Sequence, residues 1–138
     1  MKRIREFIRL IAINIRYFIL TKIYGMDISP KARISFGARL DKTYPRGIHI
    51  KADSYVASGA IIFSHDFSRN LKKNTFIEER VFIEANAIIM PGISVGDESI
   101  IGSGAVVTKN VLPNTIVAGN PAKVIKEGIH TKRFGQLI

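Results

Sequence analysis

The chain has 138 residues, enough for one domain with a sizeable core. It contains no cysteine, which excludes disulfides and thiolate metal sites and accords with a reducing cytoplasm. Its formal net charge of +10 favours phosphorylated ligands, nucleic acid or an anionic membrane, and by itself does not choose among them.

Residues 1–24 read as a basic amphipathic helix. Lys2, Arg5, Arg9 and Arg16 share one helical face, while Ile4, Phe7, Ile8, Ile11, Ile15, Phe18 and Ile19 cover most of the remainder. Charge interrupts the segment too often for it to span a bilayer, and no small-residue cleavage site follows an apolar core. Two uses remain open. The helix caps an open end of the domain, or it lies on an anionic membrane with its arginines at the headgroups.

From residue 25 to about 121 a six-residue beat takes over. Aliphatic anchors stand at Ile28, Ile34 and Leu40, then at Ile50, Val56 and Ile62. They resume at Ile77, Ile83, Ile89, Val95, Ile101 and Val107. Four residues past an anchor the chain is often small or β-branched, as at Ala38, Ser54, Ala60, Val81 and Ala87. This is neither the helical period nor simple alternation. Six residues per side and three sides per turn predict an all-β fold, a triangular parallel β-helix of about four coils. Anchors one coil apart then stack, Ile77 on Val95, Ile83 on Ile101 and Ile89 on Val107, and no single coil buries its apolar face alone. Gly92, Gly96, Asp97, Gly102 and Gly104 are the expected tight corners.

The beat breaks twice. Asp41–Gly47 ("DKTYPRG") is a small insertion, read either as a surface bulge or, through Tyr44 and Arg46, as a sugar contact. The larger break predicts a polar, basic loop over 64–75 that contains His65. A loop held on a rigid coil is a usual seat of function. Neutral imidazole is a competent base at cellular pH, and Asp66 is the adjacent candidate to orient it, with Glu79 and Glu84 as alternatives. A lone loop histidine is otherwise an ordinary surface residue. His49, in a strand-like "GIHI", has that bland reading. Without a closely spaced histidine pair, no metal site is expected. Residues 122–138 are expected to form a tail with a short helix over the last coil.

The segments "GSGAVVTKNV" and "AGNPAKVI" resemble the C-terminal signature of the hexapeptide-repeat acetyltransferases, in particular the polysaccharide and sugar O-acetyltransferases. The resemblance implies a left-handed β-helix, acetyl-CoA as cosubstrate and a homotrimer. It implies that His65 is the general base for an acceptor hydroxyl. Ser103 and Ala105 would lie along the pantetheine arm, Thr108 and Lys109 near the nucleotide, and Lys123 and Lys126 against its phosphates. Phe82 would be an apolar wall near the acetyl group. The glutamates after Ile77 and Ile83 depart from the family pattern, and an upstream asparagine of some sugar acetyltransferases has no clear match.

The function expected on this reading is acetyl transfer to a saccharide, at a surface-polysaccharide precursor, by a cytoplasmic protein that either stays free or contacts the inner face of the cell membrane. Transfer to serine or another small metabolite is the first alternative, although the long helical domain usual in serine acetyltransferases is missing. A non-catalytic β-helix that binds through its charge is the second. Nucleic acid is not expected, because the basic residues are spread out and no aromatic platform interleaves them.

Overall fold

The computed structural model describes residues 1–138. Three parallel sheets form the sides of a prism. The first side stacks Asp27–Ile28, Ile48–Ile50, Thr75–Ile77 and Ser94–Val95. The second stacks Arg33–Ile34, Tyr55–Val56, Phe82–Ile83, Ile100–Ile101 and Thr115–Ala118. The third stacks Arg39–Leu40, Ile61–Ile62, Ile88–Ile89 and Val106–Val107. The coil therefore makes the expected turns and begins another with Thr115–Ala118.

The register is the one the beat implies. Ile28 pairs with Ile50, Ile50 with Ile77, and Ile77 with Val95. Ile34, Val56, Ile83, Ile101 and Val117 form the second column, and Leu40, Ile62, Ile89 and Val107 the third. Most anchors are fully buried, including Val56, Ile62, Ile77, Ile83, Ile89, Val95 and Ile101. Each fills space between the anchor below and the one above, so truncating a central isoleucine to alanine removes packing worth about 2–5 kcal/mol. Ser54 and Ser99 also point inward, and each hydroxyl donates to a backbone carbonyl, of Glu78 and Leu112 respectively.

The corners use two devices. Gly92 and Gly104 adopt positive φ as expected, but the left-handed positions nearby are taken by Arg80 and Glu98 as well. Gly96 is required by proximity instead: a β-carbon there would meet the Pro113 nitrogen at 2.6 Å.

The N-terminal helix spans Lys2–Phe18 and ends in a wider turn over Ile19–Ile23, where the Tyr24 N–H donates to the Ile19 carbonyl at 3.0 Å. Only its last turns touch the coil. Tyr17 Oη donates to the Ile28 carbonyl at 2.9 Å. The Arg16 guanidinium donates to the carbonyls of Ile34, Ser35 and Ala38, at 3.1, 2.6 and 2.9 Å. Burial lowers the Arg16 pKa from its ordinary value. Arg16 thus leaves the basic stripe assigned to it from the sequence: it closes free carbonyls of the first coil, where no lower strand exists to do so. Residues 1–11 are all exposed.

The tail is not a helix over the last coil. Lys123–Glu127 pairs antiparallel with Thr115–Ala118, which suits the β-branched Val124 and Ile125. The chain then descends one corner of the prism. Thr131 N–H donates to Glu98 Oε1 at 3.0 Å, Thr131 Oγ1 to the Arg80 carbonyl at 2.7 Å, and Phe134 N–H to the Asp53 carbonyl at 2.7 Å.

Candidate active site

Both interruptions follow anchors of the third side, Leu40 and Ile62, and these two anchors are stacked neighbours. The inserted segments therefore leave the prism at one corner, on adjacent rungs about 4.8 Å apart. The larger one is a hairpin rather than an open loop: His65–Asp66 pairs antiparallel with Leu71–Lys72. Its base is tied down by Lys73 N–H to the Ser64 carbonyl at 2.8 Å and by Thr75 Oγ1 to the Phe63 carbonyl at 2.6 Å. The smaller insertion packs beneath it. Ser64 Oγ donates to the Tyr44 carbonyl, and a β-carbon at Gly47 would lie within 2.7 Å of both the Tyr44 ring and the Lys73 carbonyl. Arg46 lies beside Gly25, and Tyr44 sits under the Lys72 ammonium, 5.9 Å from its ring centre.

Asp41, the first residue of the smaller insertion, joins the two. Its side chain is 3% exposed. Its Oδ1 accepts from the Thr43 N–H at 2.9 Å, and its Oδ2 accepts from the N–H groups of Ser64 at 2.9 Å and His65 at 3.1 Å. The same Oδ2 accepts a short hydrogen bond from His65 Nδ1. Burial pushes the Asp41 pKa up, but the bonds from Ser64, the His65 ring, Thr43 and the His65 backbone outweigh it and hold the carboxyl below its usual range. An ionised Asp41 fixes the proton on Nδ1, so Nε2 carries the lone pair. The His65 ring is one-quarter exposed, and its Nε2 has no hydrogen-bond partner in the chain. The arrangement is a base with its acceptor nitrogen presented outward and its other nitrogen locked.

Asp66, the carboxylate expected to orient His65, does something else. Its Oδ1 accepts from Ser68 Oγ at 2.8 Å and the Arg69 N–H at 3.2 Å, closing the hairpin's own turn. Adjacent strand residues face opposite ways, so Asp66 turns away as His65 turns in. Glu84 Oε2 instead accepts from the Ser103 N–H and Oγ, at 2.9 and 3.1 Å. Glu79 lies 3.7 Å from Arg80. The signal for Asp41 was present in the sequence: it stands directly after an anchor whose stacked partner precedes the histidine loop.

The remaining expected site residues divide. Phe82 does not face His65. It lies on the second side, stacked on Tyr55 at 5.1 Å under the tail, with Phe134 edge-on to Tyr55. Ala105 is fully buried in the prism, and its N–H and carbonyl are spent on Gly102 and Ile88, so it offers nothing to a ligand. Thr108 and Lys109 are exposed just past Val107, at the same corner as His65 and two rungs along, about 10 Å. Ala122 N–H donates to the Val106 carbonyl at 2.9 Å, which brings the exposed Lys123 to the other end of that strand. Lys126 is exposed and pairs opposite Ile116 on the second side. His49 sits on the first side, hydrogen-bonded to Asp27 at 2.8 Å and stacked on Phe76 at 4.6 Å.

Residues 74–109 match the model of the bacterial transferase hexapeptide, six repeats. Over those residues the chain carries the hexapeptide repeat. A chloramphenicol acetyltransferase of Agrobacterium fabrum is 56% identical over 54 residues, 39% of this chain and 26% of that relative. A solved maltose O-acetyltransferase of Clostridium difficile 630 superposes with a TM-score of 0.61 and 26% identity, covering 81% of this chain and 74% of that one. A serine acetyltransferase of Brucella abortus strain S19, solved in complex with coenzyme A, gives a TM-score of 0.51 and 29% identity, covering 86% of this chain and 50% of that one. The chain spans about a fifth to a third of the length of the curated relatives it matches. The resemblance to hexapeptide-repeat acetyltransferases holds for the repeat and for the fold, a left-handed β-helix with an N-terminal helix.

The depressed pKa of Asp41 makes a pH prediction. A carboxylate with a lowered folded pKa stabilises the fold above its unfolded value, about 3.9, and that contribution disappears as pH falls through the folded pKa. Asp41→Asn should lower the melting temperature at pH 7, and the gap to wild type should shrink steadily below about pH 4. A gap that stayed constant from pH 7 to pH 3 would show that the charge of Asp41 does not hold the corner.

Proposed function

We propose that the protein transfers an acetyl group from acetyl-CoA to a hydroxyl of a saccharide, with His65 as general base and Asp41 as its positioning residue. The observation that carries this reading is the locked imidazole with its free Nε2, at the corner that also bears Thr108 and Lys109. His65 Nε2 would take the hydroxyl proton as the oxygen attacks the thioester carbonyl. As the new C–O bond forms and the C–S bond breaks, the imidazolium would return the proton to the departing thiolate. Asp41 stays ionised throughout, because its remaining donors are backbone N–H groups that cannot move. Lys109 and Lys123, at opposite ends of the Val106–Val107 strand, are the cations we assign to the nucleotide end of the coenzyme, with Thr108 and Ser103 beside its path. The saccharide acceptor is favoured by the likeness to a maltose O-acetyltransferase.

Kinetics separate these roles. His65→Ala should lower kcat by about a hundredfold or more with acetyl-CoA binding nearly intact, the scale of a lost general base. Lys109→Ala and Lys123→Ala should instead raise KM for acetyl-CoA by roughly five- to thirtyfold, since contacts remote from the reacting carbon bind ground and transition states alike. Most of the activity surviving in His65→Ala would end the proposal.

We also propose a homotrimer. The outward positions of the third side beyond the helix, Ile88 and Val106, are aliphatic and would be covered by a partner prism. A single 15.4 kDa species by light scattering at micromolar concentration would rule it out.

The N-terminal helix fits a peripheral contact with an anionic membrane on the inner face of the cell membrane. No helix is long and apolar enough to cross a membrane, yet Ile4, Phe7, Ile8 and Leu10 are each about 60% exposed beside Lys2, Arg5 and Arg9. Full-length protein should co-sediment with phosphatidylserine vesicles at low salt and release at high salt, and a chain lacking residues 1–11 should not. Absence of salt-sensitive binding would leave the helix as a cap alone.

A further inference from the structure

A groove of about 880 Å³ runs between the end of the N-terminal helix and the third side of the prism, and it reaches Asp41 and His65. That is within the range, about 300–1,000 Å³, that encloses a drug-sized ligand. The helix contributes Ile15 and Ile19, and the coil contributes Phe36, Ile61 and Phe63. Ile15 and Phe36 are 55% and 54% exposed. Arg16 holds this wall in place through its bonds to coil carbonyls. The groove also carries Arg39 and Lys42, both exposed, and neither lies within 4.0 Å of a carboxylate oxygen.

A plain saccharide does not suit this wall. Its hydroxyls would lie against isoleucines and phenylalanines with no partners, and each unpaired polar group costs free energy. An apolar chain suits it, and the two free cations suit a phosphate. The groove is also continuous with the exposed apolar and basic helix, so its open end faces the surface from which a lipid would come.

We infer that the acceptor is a saccharide carried on a lipid through a phosphate ester, with the lipid chain along the Ile15–Ile61 wall, the phosphate at Arg39 and Lys42, and the sugar hydroxyl at His65. This rests on the acetyltransferase reading above and gives its acceptor a chemical class.

Binding of dodecyl phosphate below its micellar concentration tests the groove on the full-length protein, with inorganic phosphate and dodecyl maltoside as the comparison probes. Dodecyl phosphate should bind at least about tenfold more tightly than either, because only it satisfies wall and cations together. Ile61→Glu, and Arg39→Ala combined with Lys42→Ala, should each weaken it by about tenfold. Leu112→Glu, an exposed apolar residue remote from the groove, should not. Arg39 and Lys42 are both exposed, so that pair decides the matter if Ile61→Glu fails to fold. Equal affinity for the three probes, or unchanged affinity in both groove variants, would overturn the assignment. So would an affinity that falls as protein concentration rises, since a second copy would then occupy the groove. Thermal protection by coenzyme A, measured on the same samples, keeps the two readings apart. Protection without dodecyl phosphate binding refutes the lipid acceptor and leaves the acetyltransferase standing. Dodecyl phosphate binding without protection refutes the acetyltransferase reading, and with it the acceptor role.

Discussion

The rest of the molecule depends on the vertical register of the aliphatic anchors. Each inward residue must fill the space between the anchor below and the anchor above, and each strand must exchange hydrogen bonds with both neighbours. A residue inserted within a side would turn every later anchor outward. Insertions are therefore tolerated only at corners, and a segment that leaves must return to the rung it left. Leu40 and Ile62 are stacked, so breaks placed after each must emerge together. The meeting of Asp41 with His65 across 24 positions of sequence follows from that stacking and needs no further long-range contact to direct it.

The corner also resolves an energetic problem. A carboxylate as buried as Asp41 would normally be neutralised or excluded. Here the insertions bring their own donors. Thr43, Ser64 and His65 each aim an N–H at it, because the chain turns sharply at both exits from the coil. The carboxylate in turn joins two segments that have no core of their own, and Gly47 lets them approach to contact distance. The His65 ring is thus held on the rigid part of the fold, while the hairpin tip, with Phe67 92% exposed, projects beyond it.

Much of this was legible in the sequence, for a physical reason. Anchors such as Ile83 and Ile101 follow a period imposed by the backbone, so spacing alone gives their register. The histidine loop was visible as the place where spacing fails. Residues whose roles come from the outside of the prism were not legible. Phe82 has the character of an apolar wall, but the side it faces is claimed by a tail whose path no local pattern predicts. Ala105 lies inside because small residues serve both grooves and packed corners. Arg16 belonged by spacing to the basic stripe, but the bottom coil has carbonyls with no strand beneath them, and the nearest guanidinium takes them. Asp66 is adjacent to His65 in sequence, whereas adjacency across rungs decides which carboxylate meets the ring.

The same distinction gives the net charge its meaning. Five of the eleven acids accept hydrogen bonds from backbone donors. Asp41 serves Thr43, Ser64 and His65, Asp66 serves Arg69, Glu84 serves Ser103, Asp97 serves Glu79, and Glu98 serves Thr131. Their charges are spent where coils and loops need donors satisfied. Some bases are spent in the same way, Arg16 on carbonyls and Arg69, Arg80 and Arg133 beside acids. Others are not. Lys2, Arg5 and Arg9 on the helix, Arg39 and Lys42 in the groove, and Lys109 and Lys123 at the far end of the third side all stand exposed without carboxylates. The formal charge of +10 is thus laid in part along the helix, the groove and the last coil, with further exposed cations such as Lys126 on the second side. The unpaired cations raise the positive potential along that line, which favours anionic ligands over cationic ones there.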